Sequence, residues 1–282
     1  MKGFLVHLAK RYIAGDELKD AIEAALALNR DGILATIDNL GENVKAKAEA
    51  DEAAREYLAL LDGIQKAKAD STVSLKLTHM GLDISEKLAK ENAEKIIRKA
   101  GKLGNFVRFD MEGSAYTERT IGIFLSLHKK YPNTGIAIQS ALKRSADDIK
   151  TLIKEKASVR LVKGAYKEPP EIAFEEKEAV DRSYERLMKE LLLKGTRPAI
   201  ATHDERLINE AIDFVEKNGI PKDSFEFQML LGIKRSLQKR LAKEGYRVRV
   251  YVPYGRNWLP YTLRRLRERK ENLYFVVKNI FD

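Results

Sequence analysis

Residues 199–218 read Ala-Ile-Ala-Thr-His-Asp-Glu-Arg-Leu-Ile-Asn-Glu-Ala-Ile-Asp-Phe-Val-Glu-Lys-Asn, the pattern of a short strand followed by a helix. The apolar run Ala199–Thr202 is short and predicts a buried strand. Asp204 is a typical N-cap residue, and the amphipathic pattern after it indicates a helix over 205–218. The stretch therefore predicts one strand–helix unit.

Similar short runs recur along the chain, spaced by roughly 24 to 39 residues, which is the length of a strand–helix unit. The eight runs are Ile33–Asp38, Val73–Thr78, Phe106–Met111, Gly135–Gln139, Val159–Lys163, Ala199–Thr202, Ser224–Gln228 and Arg247–Val252. Eight such units predict an α/β fold of the (β/α)8 TIM-barrel type, in a distorted form. The alternative, an open doubly wound sheet, is disfavoured because no Gly-rich phosphate loop follows the first run. We expect residues 1–30 to form an N-terminal helical segment and residues 31–282 to form the barrel.

The composition restricts the class of protein. The 282 residues contain no cysteine, which excludes disulfides, thiolate metal sites and cysteine nucleophiles. The formal net charge is +10, but the basic residues are interleaved with acidic ones, so we do not predict a nucleic-acid partner. The four histidines show no paired spacing, so no metal site is predicted. Without an apolar run of transmembrane length or a signal-peptide pattern, we expect a cytoplasmic protein.

Polar side chains follow most of the predicted strands, where a barrel enzyme carries its active site. Buried polar groups are costly unless they are paired, so this arrangement indicates a functional site. The candidates at these strand ends are Lys76, Asp110, Gln139, Arg160, Lys163, Thr202, His203, Gln228 and Tyr251. Of Asp110 and Glu112, Asp110 is preferred as the residue that faces the barrel mouth. Lys163 could form a Schiff base or bind a phosphate, and Gly164 beside it permits close approach of a backbone.

The last predicted strand leads into an anion site. A helix is predicted to begin near Pro260 and to carry Arg264 and Arg265 in its first turns. Paired guanidinium groups at this place favour a carboxylate ligand. Tyr251 and Tyr261 add aromatic walls, and Glu268 lies four residues after Arg264, the spacing of a helical ion pair.

Taken in order, these motifs resemble bacterial proline dehydrogenase of the short, monofunctional type found in thermophiles. The resemblance covers nearly the whole chain. The motifs are Leu75–Thr78, Arg108–Glu112, Gln139-Ser140, Arg160–Tyr166, Ala201–Asp204, Phe225–Gln228, Tyr251–Gly255 and Tyr261 through Arg264-Arg265 to Glu268.

The resemblance implies an FAD-dependent enzyme that oxidises L-proline to Δ1-pyrroline-5-carboxylate by hydride transfer to flavin N5. It implies a quinone-type electron acceptor and peripheral contact with the inner face of the membrane, which the positive charge would favour. It assigns catalytic roles to Arg160, Asp110 and Tyr251. The substrate-binding residues that it implies are Lys76, Tyr166, Tyr251, Tyr261, Arg264, Arg265 and Glu268. The cofactor-binding residues that it implies are Asp110, Gln139, Arg160, Lys163, Gly164, Ala165, Thr202, His203 and Gln228.

Three alternatives stay open at the level of sequence. The first is a flavin barrel resembling methylenetetrahydrofolate reductase, and the second is a Schiff-base aldolase acting through Lys163. The third is a flavin-binding or inert barrel scaffold without turnover. The irregular stretch Glu168–Glu171 is a candidate lid over the site.

Overall fold

The computed structural model of the protein describes residues 12–259, 261 and 262. Eight parallel strands follow one another around a closed barrel, and the last strand pairs with the first. The strands are β1 (Leu34–Asn39), β2 (Ser71–Leu75), β3 (Val107–Phe109), β4 (Thr134–Gln139), β5 (Ser158–Val162), β6 (Ala199–Ala201), β7 (Glu226–Leu230) and β8 (Val248–Tyr254). The predicted (β/α)8 fold is confirmed.

In the part of the chain that the structure describes, one helix precedes β1, and one helix lies between each pair of consecutive strands. The helices are α1 (Leu18–Arg30), α2 (Lys47–Ala67), α3 (Glu86–Lys102), α4 (Ser114–His128), α5 (Ser145–Lys154), α6 (Lys177–Lys194), α7 (Glu205–Lys217) and α8 (Arg235–Lys243). Side chains cap two of them at the residues that the sequence suggests. Ser85 accepts a hydrogen bond from the Leu88 N–H of α3, and Asp204 accepts one from the Arg206 N–H of α7.

The apolar core lies between the strands and the surrounding helices, while the inside of the barrel is polar. In β8, Val248 and Val250 are fully buried in the apolar core, whereas Arg249 between them bonds to residues of neighbouring strands inside the barrel. β1 alternates in the same way, since Ile37 joins the core and Asp38 bonds inside the barrel. A charged interior of this kind provides functional groups directly at the strand ends.

β2 and β3 end two or more residues earlier than the sequence suggests. β2 ends at Leu75, and the carbonyl of Lys76 accepts hydrogen bonds from the N–H groups of His79 and Met80, so that Lys76 begins a turn. β3 ends at Phe109, and Asp110 is the first residue after it. The predicted strand ends, Thr78 and Met111, were therefore wrong by three and two positions, and Lys76 and Asp110 lie just beyond their strands. At Lys76 the backbone hydrogen bonds of a turn replace those of the strand, although the apolar pattern continues to Leu77.

Candidate functional site

A cavity of about 470 Å³ opens at the carboxyl ends of the strands. This volume is in the range of small-molecule and cofactor sites, roughly 300–1,000 Å³. The sequence-predicted residues that line it are Lys76, Asp110, Gln139, Arg160, Lys163, Gly164, Ala165, Tyr166, Thr202, His203, Gln228, Tyr251 and Tyr261. The remaining three, Arg264, Arg265 and Glu268, lie outside the described residues. Residues from strands on every side of the barrel thus meet at one site.

The carboxylate of Asp110 connects three strands at the bottom of this cavity. Its Oδ1 accepts a hydrogen bond of 2.6 Å from Arg160 Nη1, and its Oδ2 accepts one of 2.7 Å from the Tyr251 hydroxyl. Burial and the charge of Asp110 raise the pKa of Tyr251 well above its ordinary value. Tyr251 is therefore a neutral phenol that donates to the carboxylate.

Lys76 provides a buried positive charge beside Asp110. Its Nζ lies 2.7 Å from Asp38 Oδ2, 3.7 Å from Asp110 Oδ2 and 3.3 Å from the Tyr251 hydroxyl. Burial opposes the charge of the ammonium group, but Asp38 and Asp110 outweigh it and raise the pKa of Lys76 above its ordinary value. Lys76 is therefore a permanent cation at the cavity wall.

Asp38 is the residue of this network that sequence reasoning missed. It is fully buried inside the barrel and is the main partner of Lys76. It stands at the end of the predicted strand Ile33–Asp38 and was not selected as a candidate. A signal was present, because a carboxylate at the end of a largely apolar run, directly after Ile37, is costly unless a cation pairs with it.

Arg160 is held by three hydrogen bonds, one from each of its guanidinium nitrogens. Besides the bond to Asp110, Nε donates to Gln228 Oε1 at 2.5 Å and Nη2 donates to Ser74 Oγ at 2.9 Å. The guanidinium carbon lies 5.5 Å from the centroid of the Tyr251 ring, within cation–π distance. The side chain therefore has a single defined position in the cavity wall.

The wall beyond the end of β5 combines polar side chains with exposed backbone. Lys163 Nζ lies 2.6 Å from Asp181 and 3.0 Å from Asp204. Gly164 has a φ of +125°, and an added Cβ would approach Gln139 Oε1 to 3.2 Å. A side chain at this position would be strained, so glycine keeps the backbone open to the cavity.

His203 has a defined protonation pattern in this wall. Its Nε2 accepts a hydrogen bond of 2.9 Å from the backbone N–H of Leu230. A ring nitrogen that accepts cannot carry a proton, so the proton of the neutral ring is on Nδ1. The ring is thereby held against β7, in the lining of the cavity.

Glu112, the alternative to Asp110, lies apart from the cavity. Its carboxylate accepts hydrogen bonds from the Thr78 hydroxyl and, at 3.2 Å, from the Thr78 N–H. Burial raises the pKa of Glu112 to about 7. The backbone carbonyl of Glu112 accepts a 2.9 Å bond from Gln139 Nε2, so this residue supports the wall indirectly.

The loop after β5 carries Tyr166 and crosses neighbouring loops. Glu168 accepts hydrogen bonds from the N–H of Ser114, at 2.8 Å, and from its hydroxyl, at the first turn of α4. Farther along, Phe174 N donates to Ala141 O at 2.8 Å. The candidate lid Glu168–Glu171 is therefore anchored beside the cavity. A carboxylate at a helix N-terminus is also favoured by the helix dipole.

The described residues contain neither a metal site nor a membrane-spanning helix. No group of three His, Cys, Asp or Glu side chains in residues 12–259, 261 and 262 is arranged to hold a metal ion. Within the same residues, no helix has the length and apolar character needed to cross a bilayer.

The comparison with protein families decides the class of this chain. The sequence profile described as proline dehydrogenase matches residues 21–278. The chain belongs to the proline dehydrogenase family. It is 43% identical over 272 residues to proline dehydrogenase 1 of Bacillus subtilis subsp. natto, covering 96% of this chain and 90% of that protein. It is 42% identical over 279 residues to the proline dehydrogenase of Deinococcus radiodurans, covering 97% and 90%. The resemblance stated from the motifs is confirmed, and with it the enzyme class, a family of flavoenzymes.

Solved structures agree with the fold. The chain matches the crystal structure of proline utilization A from Bdellovibrio bacteriovorus inactivated by N-propargylglycine, with a TM-score of 0.88 and 29% identity. The match covers 95% of this chain and 33% of that chain, so this chain spans about a third of the larger protein. Because the chain belongs to the proline dehydrogenase family, the methylenetetrahydrofolate reductase and aldolase alternatives are set aside.

Proposed function

We propose that this proline dehydrogenase oxidises L-proline to Δ1-pyrroline-5-carboxylate with FAD and passes the electrons to a quinone-type acceptor. The observation that carries the proposal is the buried network of Lys76, Asp110, Arg160 and Tyr251 in the wall of one cavity at the strand ends. Family membership supplies the class of reaction, and the cavity supplies groups suited to it.

The substrate undergoes a two-electron oxidation. Proline loses a hydride from the ring carbon next to nitrogen and a proton from the nitrogen, which leaves a C=N bond. FAD, when bound, accepts the hydride at N5 and so supplies the redox chemistry that side chains lack. The protein has to bind the substrate, orient that carbon and exclude water.

The cavity fits a flavin. Gln139 and Gln228 offer amide groups, and Thr202 and His203 offer polar atoms in the same wall. Gly164 has a φ of +125° and no side chain, which supports close approach of a flat ring or a phosphate to its backbone. These residues, with Lys163 and Ala165, are the ones that we propose hold FAD.

We propose that cationic side chains bind the substrate carboxylate. Lys76 is a buried cation, and the sequence adds Arg264 and Arg265, which we propose bind the proline carboxylate together with it. Tyr166, Tyr251 and Tyr261 provide aromatic surface for the pyrrolidine ring. Arg160 faces the reacting centre and stabilises negative charge that develops there, with Asp110 holding it in place.

The electrons leave through an acceptor that the cavity does not identify. We propose a membrane quinone, and peripheral binding at the inner face of the membrane, because the net charge of +10 favours anionic lipid. Co-sedimentation with anionic vesicles that falls as salt rises supports this step. Absence of vesicle binding at low salt argues against it and leaves the oxidation of proline untouched.

The test of the main proposal is spectroscopic. We expect the purified protein to be yellow, or to become yellow with added FAD, and its flavin absorbance to bleach on anaerobic addition of L-proline. A protein that cannot take up FAD overturns the proposal. A yellow protein that L-proline does not bleach favours the flavin-binding scaffold instead.

A further inference from the structure

A second set of buried charges lies inside the barrel and does not line the cavity. Arg249 Nε donates to both carboxylate oxygens of Glu226, at 2.9 and 3.1 Å, and Arg249 Nη1 donates to Ala35 O at 2.7 Å. Glu226 and Arg249 are each 8% exposed. Neutralisation of Arg249 is one role for Glu226, but the carboxylate has a further neighbour.

That neighbour is Gln228, two residues along β7 and on the same side of the strand. Its Nε2 donates to Glu226 Oε1, and its Oε1 accepts a 2.5 Å bond from Arg160 Nε. A carboxylate can only accept hydrogen bonds and a guanidinium can only donate them. The amide of Gln228 therefore has one orientation that satisfies both, with its NH₂ group towards Glu226 and its oxygen towards Arg160.

The reversed amide would be incompatible with the observed position of Arg160. It would place an NH₂ group against the Arg160 Nε–H, two donors at the present distance of 2.5 Å. The guanidinium would have to move, and its bonds to Asp110 Oδ1 and Ser74 Oγ would be distorted.

We propose that Glu226 is a positioning residue for Arg160, acting through the amide of Gln228. The proposal rests on the proposed function, in which Arg160 faces the reacting centre. Glu226 supplies an acceptor that never donates, and this property fixes the amide and, through it, the guanidinium.

The ionisation of Glu226 agrees with this role. Burial alone raises the pKa of a carboxyl group, but Arg249 and Arg108 outweigh burial and lower the pKa of Glu226 below its ordinary value. The group is therefore an acceptor-only carboxylate throughout the neutral range.

The first experiment removes the acceptor together with its cation. In Glu226→Met with Arg249→Met, a buried ion pair is replaced by apolar side chains of similar size, a change that often preserves stability. We expect kcat for proline oxidation to fall about tenfold or more and the KM for proline to change much less. We expect the crystal structure to show Arg160 displaced from residue 228. The dissociation constant for FAD is measured by fluorescence on the apoprotein. It distinguishes a fall in kcat caused by weaker FAD binding from one caused by displacement of Arg160.

A rescue variant separates positioning from a merely structural role. Addition of Gln228→Glu to the double variant places a carboxylate directly opposite Arg160, and this group needs no partner to orient it. Positioning by Glu226 predicts that Arg160 returns to its place and that most of the lost kcat is regained. A double variant with normal kcat and an undisturbed Arg160 overturns the proposal. So does a loss of kcat while Arg160 stays in place.

A second variant tests the proposal independently if the double variant does not fold. Glu226→Gln keeps the side-chain volume but presents both a donor and an acceptor, so that the amide of Gln228 no longer has a unique orientation. We expect a smaller fall in kcat than in the double variant, and an unchanged kcat contradicts the proposal. If the wild-type flavin is not reduced by L-proline, the proposed function fails, and the crystal structures still decide whether Glu226 positions Arg160.

Discussion

Lys76 and Asp38 form a buried ion pair at the mouth of the barrel, with Nζ 2.7 Å from Oδ2. Their side chains are 9% and 0% exposed, so water contributes little to the stability of either charge. Asp110 Oδ2, at 3.7 Å from the ammonium group, is the second carboxylate near Lys76. Lys76 is the cation proposed to bind substrate, and its charge is stabilised by Asp38, which does not line the cavity. The ion pair therefore contributes both to the stability of the barrel and to substrate binding.

Substitution of Asp38 by Asn is expected to destabilise the protein. Loss of one partner from a buried ion pair typically costs about 3–5 kcal/mol, and Asp110 offsets part of this here. Urea unfolding at pH 7 measures the change. The double variant Asp38→Asn with Lys76→Met removes both charges and should regain stability while it raises the KM for proline. Equal stability of wild type and Asp38→Asn contradicts the importance of the pair.

Substitution of Arg264 or Arg265 by Met is expected to weaken proline binding. Each charge-assisted hydrogen bond to the carboxylate contributes about 1.5–3 kcal/mol, so the KM for proline should rise about tenfold or more, with FAD content kept. Steady-state kinetics with an artificial electron acceptor measures the change. Arg235 is an exposed arginine of α8, and Arg235→Met is the matched control, for which KM should not change. Unchanged KM in both clamp variants would exclude carboxylate binding by this pair.

Substitution of Glu168 by Ala is expected to release the loop that carries Tyr166. Glu168 binds the N–H and hydroxyl of Ser114, and these bonds are lost in the variant. We expect faster proteolytic cleavage within the loop and a higher KM for proline. Glu171 lies in the same loop and is exposed, so Glu171→Ala is the control with an equal change of charge. Identical cleavage rates for the two variants would show that Glu168 does not anchor the loop.

Titration of Glu112 is expected to make stability depend on pH. The folded protein keeps the carboxyl proton up to a pKa of about 7, whereas the ordinary pKa of a glutamate side chain, which applies to the unfolded chain, is 4.5. Unfolding in this interval releases a proton, so the free energy of unfolding falls as pH rises from 4.5 to 7, by about 3 kcal/mol in total.

Glu112→Gln provides the comparison for this prediction. The amide keeps hydrogen-bonding partners at Thr78 and does not titrate. Urea unfolding at several pH values should show the wild type losing stability relative to Glu112→Gln as pH rises, with no further change above the folded pKa. If the free energies of unfolding of the two proteins differ by the same amount at pH 5 and at pH 8, titration of Glu112 does not affect stability and the prediction is wrong.

The barrel could be predicted because it depends on local patterns. Short apolar runs at regular spacing identify the strands, and Ser85 and Asp204 mark helix starts, so strand number and order followed from the sequence. The exact strand ends could not be predicted, because the turn at Lys76 depends on hydrogen bonds from the residues after it.

The pairing inside the barrel depends on closure of the sheet. Arg249 donates to the carbonyl of Ala35 across the junction of β8 and β1, and Asp38 meets Lys76 across the junction of β1 and β2. No local pattern places such residues together. Sequence motifs therefore identified side chains that line the cavity, whereas the contacts by which Asp38 and Glu226 support them from outside it are seen only in the structure.

Substitution of Thr120 by Val is expected to stabilise the protein. Thr120 lies in α4, is fully buried, and has a hydroxyl with no hydrogen-bond partner. Valine has nearly the same shape and removes a desolvated polar group, which is worth about 1 kcal/mol and a few degrees in Tm. Thr134→Val is the matched control, because the Thr134 hydroxyl donates to Tyr131 O at 2.9 Å and is equally well buried. We expect thermal unfolding to show a higher Tm for Thr120→Val and a lower one for Thr134→Val. The reverse order would mean that the Thr120 hydroxyl is satisfied in solution, by water for example.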